Sequence, residues 1–234
     1  MGETRAVPGS WQNFAAFQVF GDYAPIGDFF VVVRLVPDVR AHTHLLGDRA
    51  RDQEALDPQL GQLTIRAGLW LAQTELAAFV YATAEECLVL LPSDSVRAPG
   101  RTLVVHDMLT SMYAARLARL AGAELPVSGS IYELPSLAVV RRVFAGALDV
   151  GRSTTLGRSA RRLQAQLRGR GQALRDAELS SPELQASLLE THGVKVDSLP
   201  QWWWTGVAAR RRGGDVEIFD RLPEGGRMDE LVQG

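Results

Sequence analysis

Residues 29–36, Phe-Phe-Val-Val-Val-Arg-Leu-Val, constrain this chain more than any other stretch. The run of aromatic and β-branched residues does not alternate with polar ones. It therefore reads as a strand covered on both faces, in the interior of a sheet. Pro37 ends the run and Asp38 follows, which puts a carboxylate at the mouth of a buried strand. The second constraint is Phe79-Val-Tyr-Ala-Thr-Ala-Glu-Glu-Cys-Leu-Val-Leu-Leu91, two apolar runs split by Ala84-Glu85-Glu86. That pattern predicts a β-hairpin over 79–91 with acids at its bend.

The segments between these fill in a fold class. Leu60, Leu63, Ile65, Leu69, Leu71 and Leu76 predict a helix over 60–76. Leu103, Met108, Leu109, Met112, Leu117 and Leu120 predict another over 103–120. A fourth strand is expected at about 127–133, around Gly129-Ser-Ile-Tyr-Glu133. Strand, helix, hairpin, helix, strand is the ferredoxin-like βαββαβ order, an α+β palm with an antiparallel sheet and both helices on one face. Residues 1–135 are assigned to this palm-like domain and 136–234 to a C-terminal helical extension packed on it, ending in a short tail. In the extension, helices are expected over 137–148 and 156–174. Ser180-Ser-Pro-Glu183 starts another, which stops at His192-Gly193. A last short strand is expected at 215–219. Phe14, Phe17 and Phe20 suggest a short amphipathic lead-in.

Composition narrows the function classes. The net charge of −2 provides no global basic field for nucleic acid. Of the 25 Lys and Arg residues only Lys195 is a lysine, a bias that reflects the base composition of a genome rather than a site. A single cysteine, Cys87, rules out a disulfide framework and fits a cytoplasmic setting. No apolar run is long enough to span a membrane, and Met-Gly-Glu-Thr-Arg at the start lacks the apolar core of a signal peptide.

A buried strand ending in a carboxylate, beside a hairpin presenting another, is how a nucleotidyltransferase palm holds two divalent ions. The candidate metal ligands are Asp38, Glu85 and Glu86. Neighbours in a strand point to opposite faces, so only one of the two glutamates can face a given site. The competing reading is a pair of solvated hairpin acids. His42-Thr-His44 reads as a solvated loop pair, since no zinc-like set accompanies it, and His106 as a boundary residue of its helix. Arg158, Arg161, Arg162 and Arg168 include helical i, i+3 and i+4 spacings and, with Arg152 preceding their helix, are candidate phosphate contacts; the alternative is a solvated face paired with Asp176 and Glu178. Trp202-Trp-Trp204 followed by Arg210, Arg211 and Arg212 is a candidate stacking and neutralising surface for a single-stranded nucleic-acid end. Three adjacent tryptophans cannot all face one way, so at least one belongs to the core. Neither a Walker A loop nor a G-x-G-x-x-G stretch is present.

The order of these segments resembles the tRNA-histidine guanylyltransferase family, which adds a nucleotide to a 5′ end in the 3′→5′ direction. Val32-Val-Arg-Leu-Val-Pro-Asp38 is similar to the family's V-V-R-I-D-G-R strand, and Tyr81-Ala-Thr-Ala-Glu-Glu-Cys-Leu-Val89 to its Y-x-x-S-D-E-x-S-F hairpin. Leu109-Thr-Ser-Met-Tyr113 fits its F-T-S-x-Y helix end. Gly193-Val-Lys-Val-Asp-Ser-Leu-Pro-Gln-Trp202, followed by Gly206-Val207, fits its C-terminal part. The resemblance implies Mg2+ with GTP or ATP as ligands, a tRNA or other RNA 5′ end as partner, and assembly as a homo-oligomer. The departures fall on charged positions. The family's first metal aspartate lands on Val36, and its second on Glu85, with the following glutamate on Glu86. Its F-D-x-R becomes Val127-Ser-Gly-Ser130, its K-P-x-D becomes Asp57-Pro-Gln-Leu60, and its H-I-N-N becomes Ser153-Thr-Thr-Leu156. The resemblance thus implies a divergent member with a largely lost catalytic set, a pseudoenzyme that binds a nucleotide or RNA end or serves as a scaffold. Two rivals stand beside it. One is an active Mg2+-dependent 3′→5′ nucleotidyltransferase using Glu85, Glu86 and Asp38. The other is an oligomeric protein-interaction module without ligand.

Overall fold

The structure is a computed structural model that describes residues 25, 28–38, 58–96, 101–169, 182–193, 200–223, 227 and 230. Expectations for Phe14, Phe17, Phe20, His42, His44 and Asp57 lie outside these residues. In chain order the elements are β1 (Phe30–Pro37), α1 (Pro58–Leu71), β2 (Phe79–Ala82), β3 (Cys87–Leu90), α2 (Ser93–Val96), α3 (Arg101–Ala121) and β4 (Val127–Leu134). They continue with α4 (Leu137–Gly169), α5 (Pro182–Thr191), α6 (Gln201–Thr205), β5 (Val207–Arg212) and β6 (Asp215–Phe219).

The strands form one antiparallel sheet in the order β4-β1-β3-β2-β5-β6. The first four strands take the order of a ferredoxin-like palm, as the pattern of apolar runs requires. β1 is interior, flanked by β3 and β4, and Val31, Val32 and Val33 are fully buried. The apolar run has the cause inferred for it over Val31, Val32 and Val33, where both faces of β1 are covered.

Alternation along the strands sorts side chains onto two faces. Val31, Val33, Leu35, Val80, Ala82, Cys87 and Val89 face α1 and α3. α3 meets them with Val105, Leu109, Tyr113 and Leu117, spaced three and four residues apart along one helical stripe. Tyr113 is fully buried, and burial pushes its hydroxyl far above the ordinary range. Burial does the same to the Cys87 thiol, which leaves it an inert core group rather than a nucleophile. On the opposite face Val32, Phe79, Tyr81, Leu88 and Leu90 pack under Val140, Phe144 and Ala147 of α4. Phe144 sits 5.7 Å from Phe79, ring centre to ring centre, in a tilted arrangement.

Two expectations are corrected. The helices expected at 137–148 and 156–174 are one helix, α4, of 33 residues. Its middle, Gly151-Arg-Ser-Thr-Thr155, reads as a breaker locally, but burial of Phe144 on one side and Leu156 and Ala160 on the other carries the helix through. The segment after Gly206 is strand β5, which pairs with β2 and, through β6, extends the sheet to six strands. The C-terminal part therefore contributes sheet as well as helix.

A third apolar cluster joins Leu156, Ala160, Leu163 and Leu167 of α4 to Leu188 and Leu189 of α5 and to Trp203. Trp202 packs against it too, with its ring centre 5.6 Å from that of Trp203. Among the described residues no helix is long and apolar enough to cross a membrane.

Candidate functional site

The hairpin bend is built by one hydroxyl. The Thr83 Oγ1 accepts the backbone N–H groups of Glu85 and Glu86, each at 3.2 Å. Thr83 N–H in turn donates to the Glu86 carbonyl at 2.9 Å. This closed turn fixes which way each glutamate points. β1 and β3 pair Leu35 with Cys87 and Arg34 with Leu88. Continuing that register by one residue sets Val36 opposite Glu86. Residues directly opposite share a face, so Glu86 lies with Val32, Arg34 and Val36 on the α4 face. Glu85 has the other parity.

Glu86 is paired. Arg34 Nε donates to Glu86 Oε2 at 2.5 Å, across a sequence separation of 52 residues. The Glu86 side chain is 5% exposed and the Arg34 side chain 36%. Burial pushes the Glu86 carboxyl up from its ordinary value, and Arg34 pulls it back only in part; neighbouring Glu85 adds to the upward push. Burial also works against the Arg34 charge, but Glu86 and then Tyr132 more than offset it and hold the guanidinium above its ordinary value.

The third wall is β4. Its register places Tyr132 opposite Val32, Ser130 opposite Arg34 and Ser128 opposite Val36. All three hydroxyl side chains are exposed and belong to the same face as Arg34. Tyr132 hydrogen-bonds with Arg34, and Ser128 Oγ lies 3.4 Å from the Val36 carbonyl, to which it donates. The sequence carried a signal for this wall, since Ser128, Ser130 and Tyr132 occupy alternate positions of Val127-Ser-Gly-Ser-Ile-Tyr-Glu133. It did not show that they flank Arg34, because that requires the register.

The other expected residues are distributed as follows. Asp38 is exposed just past the end of β1, its N–H donating to the Pro126 carbonyl at 2.8 Å. Arg152, Arg158, Arg161 and Arg162 belong to α4, and their side chains lie outside the described residues. Arg210 Nε donates to Glu217 at 2.9 Å, and Arg211 Nη1 lies 3.3 Å from Glu75 Oε1. Consecutive residues of β5 face opposite ways, so Arg210 and Arg211 do not share a surface. Arg212 is exposed opposite Asp215. Trp203 is buried, and Trp202 and Trp204 pack on the same third cluster. His106 Nδ1 pairs with Asp107 Oδ1 at 2.8 Å, and its ring lies against Gly129.

These donors do not fit a two-ion centre. Such a centre needs carboxylates shared between the ions. Here the strand position opposite Glu86 is a valine, and Glu86, the one buried carboxylate among the described residues, is already neutralised by a guanidinium. Among the described residues no group of three His, Cys, Asp or Glu side chains is placed to hold a metal ion.

Solved structures share this fold. A bacterial tRNA(His) guanylyltransferase-like protein in complex with ATP superposes with a TM-score of 0.65 at 13% identity, covering 94% of this chain and 98% of its own. The tRNA(His) guanylyltransferase of Saccharomyces cerevisiae gives 0.64 at 14% identity, with 95% of this chain and 99% of that one covered. A bacterial guanylyltransferase-like protein in complex with GTP gives 0.56 at 14% identity over 95% of this chain and 96% of that one. No family model matches the chain, and no curated protein matches it. The likeness spans nearly the whole of both chains, and at this identity it is a likeness of fold.

Proposed function

We propose that this chain, which has the fold of the tRNA(His) guanylyltransferases, binds a nucleoside triphosphate on the α4 face of β1, β3 and β4 and does not transfer nucleotides. The observation that carries this reading is the Arg34–Glu86 pair with Val36 opposite it. Nucleotidyl transfer on a palm depends on ions that activate the attacking oxygen and neutralise the triphosphate. A carboxylate held by arginine, facing a valine, supplies neither. Retention of the whole sheet around this spot favours binding over loss of all function, and two proteins of the same fold were solved with ATP and GTP. An RNA 5′ end is the natural second ligand of such a protein, with Arg152, Arg158, Arg161 and Arg162 as its candidate contacts. Arg212 is the better placed of the C-terminal arginines, because Arg210 and Arg211 already serve Glu217 and Glu75.

The test combines calorimetry with an addition assay. Purified protein is titrated with ATP and GTP, then incubated with labelled triphosphate and tRNA lacking its 5′ nucleotide. Binding without 5′ addition is the expected result. Addition that disappears in Glu86→Ala would promote the active enzyme. Absence of any nucleotide binding would leave the scaffold reading in front.

A further inference from the structure

The polarity of this site runs opposite to that of a metal centre. In a metal centre the carboxylates face the ligand and the cation arrives between them. Here the carboxylate is the inner group and the guanidinium the outer one: Glu86 is 5% exposed where Arg34 is 36% exposed. Around Arg34 stand the hydroxyls of Ser128, Ser130 and Tyr132, all exposed on the same face of an edge strand. Among the described residues, those that flank the approach to the sheet here are an arginine and three hydroxyls.

We propose that the site takes the triphosphate of a nucleotide directly, with the Arg34 guanidinium in the role that a divalent ion plays in a palm enzyme. This rests on the nucleotide-binding reading above and adds that binding is independent of Mg2+.

Guanidinium chemistry suits the role. Arginine presents five N–H donors in a rigid fork, so donation from Nε to Glu86 is compatible with donation to phosphate from the same group. Glu86 acts as a positioning residue. It holds the fork in one orientation, and the Thr83 turn holds Glu86. Tyr132 hydrogen-bonds with Arg34 and, as a hydroxyl, can both accept from it and donate onward. Among the described residues Ser128 makes a long 3.4 Å contact to the Val36 carbonyl, so turning to a phosphate oxygen costs it little. The pair is neutral overall, so affinity comes from directed, charge-assisted hydrogen bonds rather than from net charge.

The experiment titrates the full chain with ATP, GTP and inorganic tripolyphosphate, once in 5 mM Mg2+ and once in EDTA, read by calorimetry (about millimolar ion, enough to saturate the nucleotide). The dissociation constants should agree within about threefold between the two buffers, and tripolyphosphate should compete with ATP. Ser130→Glu puts a like charge for phosphate beside Arg34 on an exposed edge, where it does not threaten folding, and should weaken binding at least tenfold in EDTA. Arg34→Met combined with Glu86→Gln, which removes the pair without stranding a charge, should do the same. Binding that appears only with Mg2+ overturns this inference and leaves the nucleotide reading intact. Binding unaffected in both variants also overturns it. No binding in either buffer overturns both.

Discussion

The two faces of β1 differ by a shift of one residue, and the difference separates a closed core from a half-buried polar surface. Val31, Val33 and Leu35 are fully buried under α1 and α3 along their whole length. Val32, Arg34 and Val36 start equally buried, under α4, and end half-buried beside an ion pair and a row of hydroxyls. One strand thus carries a continuous core on its odd positions and a change from core to open site on its even ones. A chain can give up charged groups on the second set while the first keeps the sheet intact.

The largest test of the contrast is Leu35→Ala against Val36→Ala. Leu35 is fully buried between two helices and the sheet, and its truncation should cost about 2–5 kcal/mol by cavity formation. Val36 is half-buried, and its truncation should cost about 1 kcal/mol or less. Urea denaturation of both variants measures the difference. Equal costs would show that the α4 face is as closed as the helix-covered one.

Gly206→Ala probes the α4 face where it is tightest. Gly206 has φ of 62°, in the left-handed region, and a Cβ there would lie 2.5 Å from the Tyr81 hydroxyl oxygen, which donates to the Thr205 carbonyl. Strain and collision together should cost about 1–3 kcal/mol. A Tm unchanged from wild type would mean that α6 and β5 shift freely against β2.

The site was less legible in the sequence than the fold, for a physical reason. Strand, hairpin and helices are written in local periodicity, and the order of the first four strands followed from them. β5 was missed because Val207-Ala-Ala209 is a short apolar run and the arginines after it draw the eye to charge, whereas its burial comes from pairing with Phe79–Ala82. The Arg34–Glu86 pair joins residues 52 positions apart, and only the β1–β3 register brings them together. The choice between Glu85 and Glu86 depended on the same register, since parity reverses with a slip of one residue.

Acid titration sharpens the contrast more gently. Glu86 titrates above the ordinary glutamate range because burial outweighs Arg34. A carboxyl raised in the folded state gives stability that is fully present below its unfolded pKa and is lost as pH rises through its folded pKa. Glu86→Gln is exempt from that loss. The Tm of Glu86→Gln minus that of wild type should therefore increase from acid to neutral pH. A difference that falls instead would mean that the ion pair outweighs desolvation and that Arg34 needs its partner in order to pack.

The smallest effect expected is also the most direct on the even face of β1. Val36→Asp puts a carboxylate opposite Glu86, on the same face, at the position where the resemblance to the guanylyltransferases expects one. It adds negative charge beside a buried glutamate, so without metal it should lower Tm slightly. With Mg2+ the two carboxylates gain a cation to share, and binding to the folded state alone raises its stability by mass action. A rise in Tm of about 2–5 °C in 10 mM Mg2+ is expected for Val36→Asp, and none for wild type. The same variant should also make ATP binding respond to Mg2+, because the ion now has a place beside Arg34. If Mg2+ leaves Val36→Asp unchanged while the protein stays folded, then the guanidinium holds Glu86 against the metal. Val36→Asp with Arg34→Met then isolates that cause: recovery of the Mg2+ response there assigns the block to Arg34, and its absence assigns it to the packing of α4 and the Thr83 turn around the site.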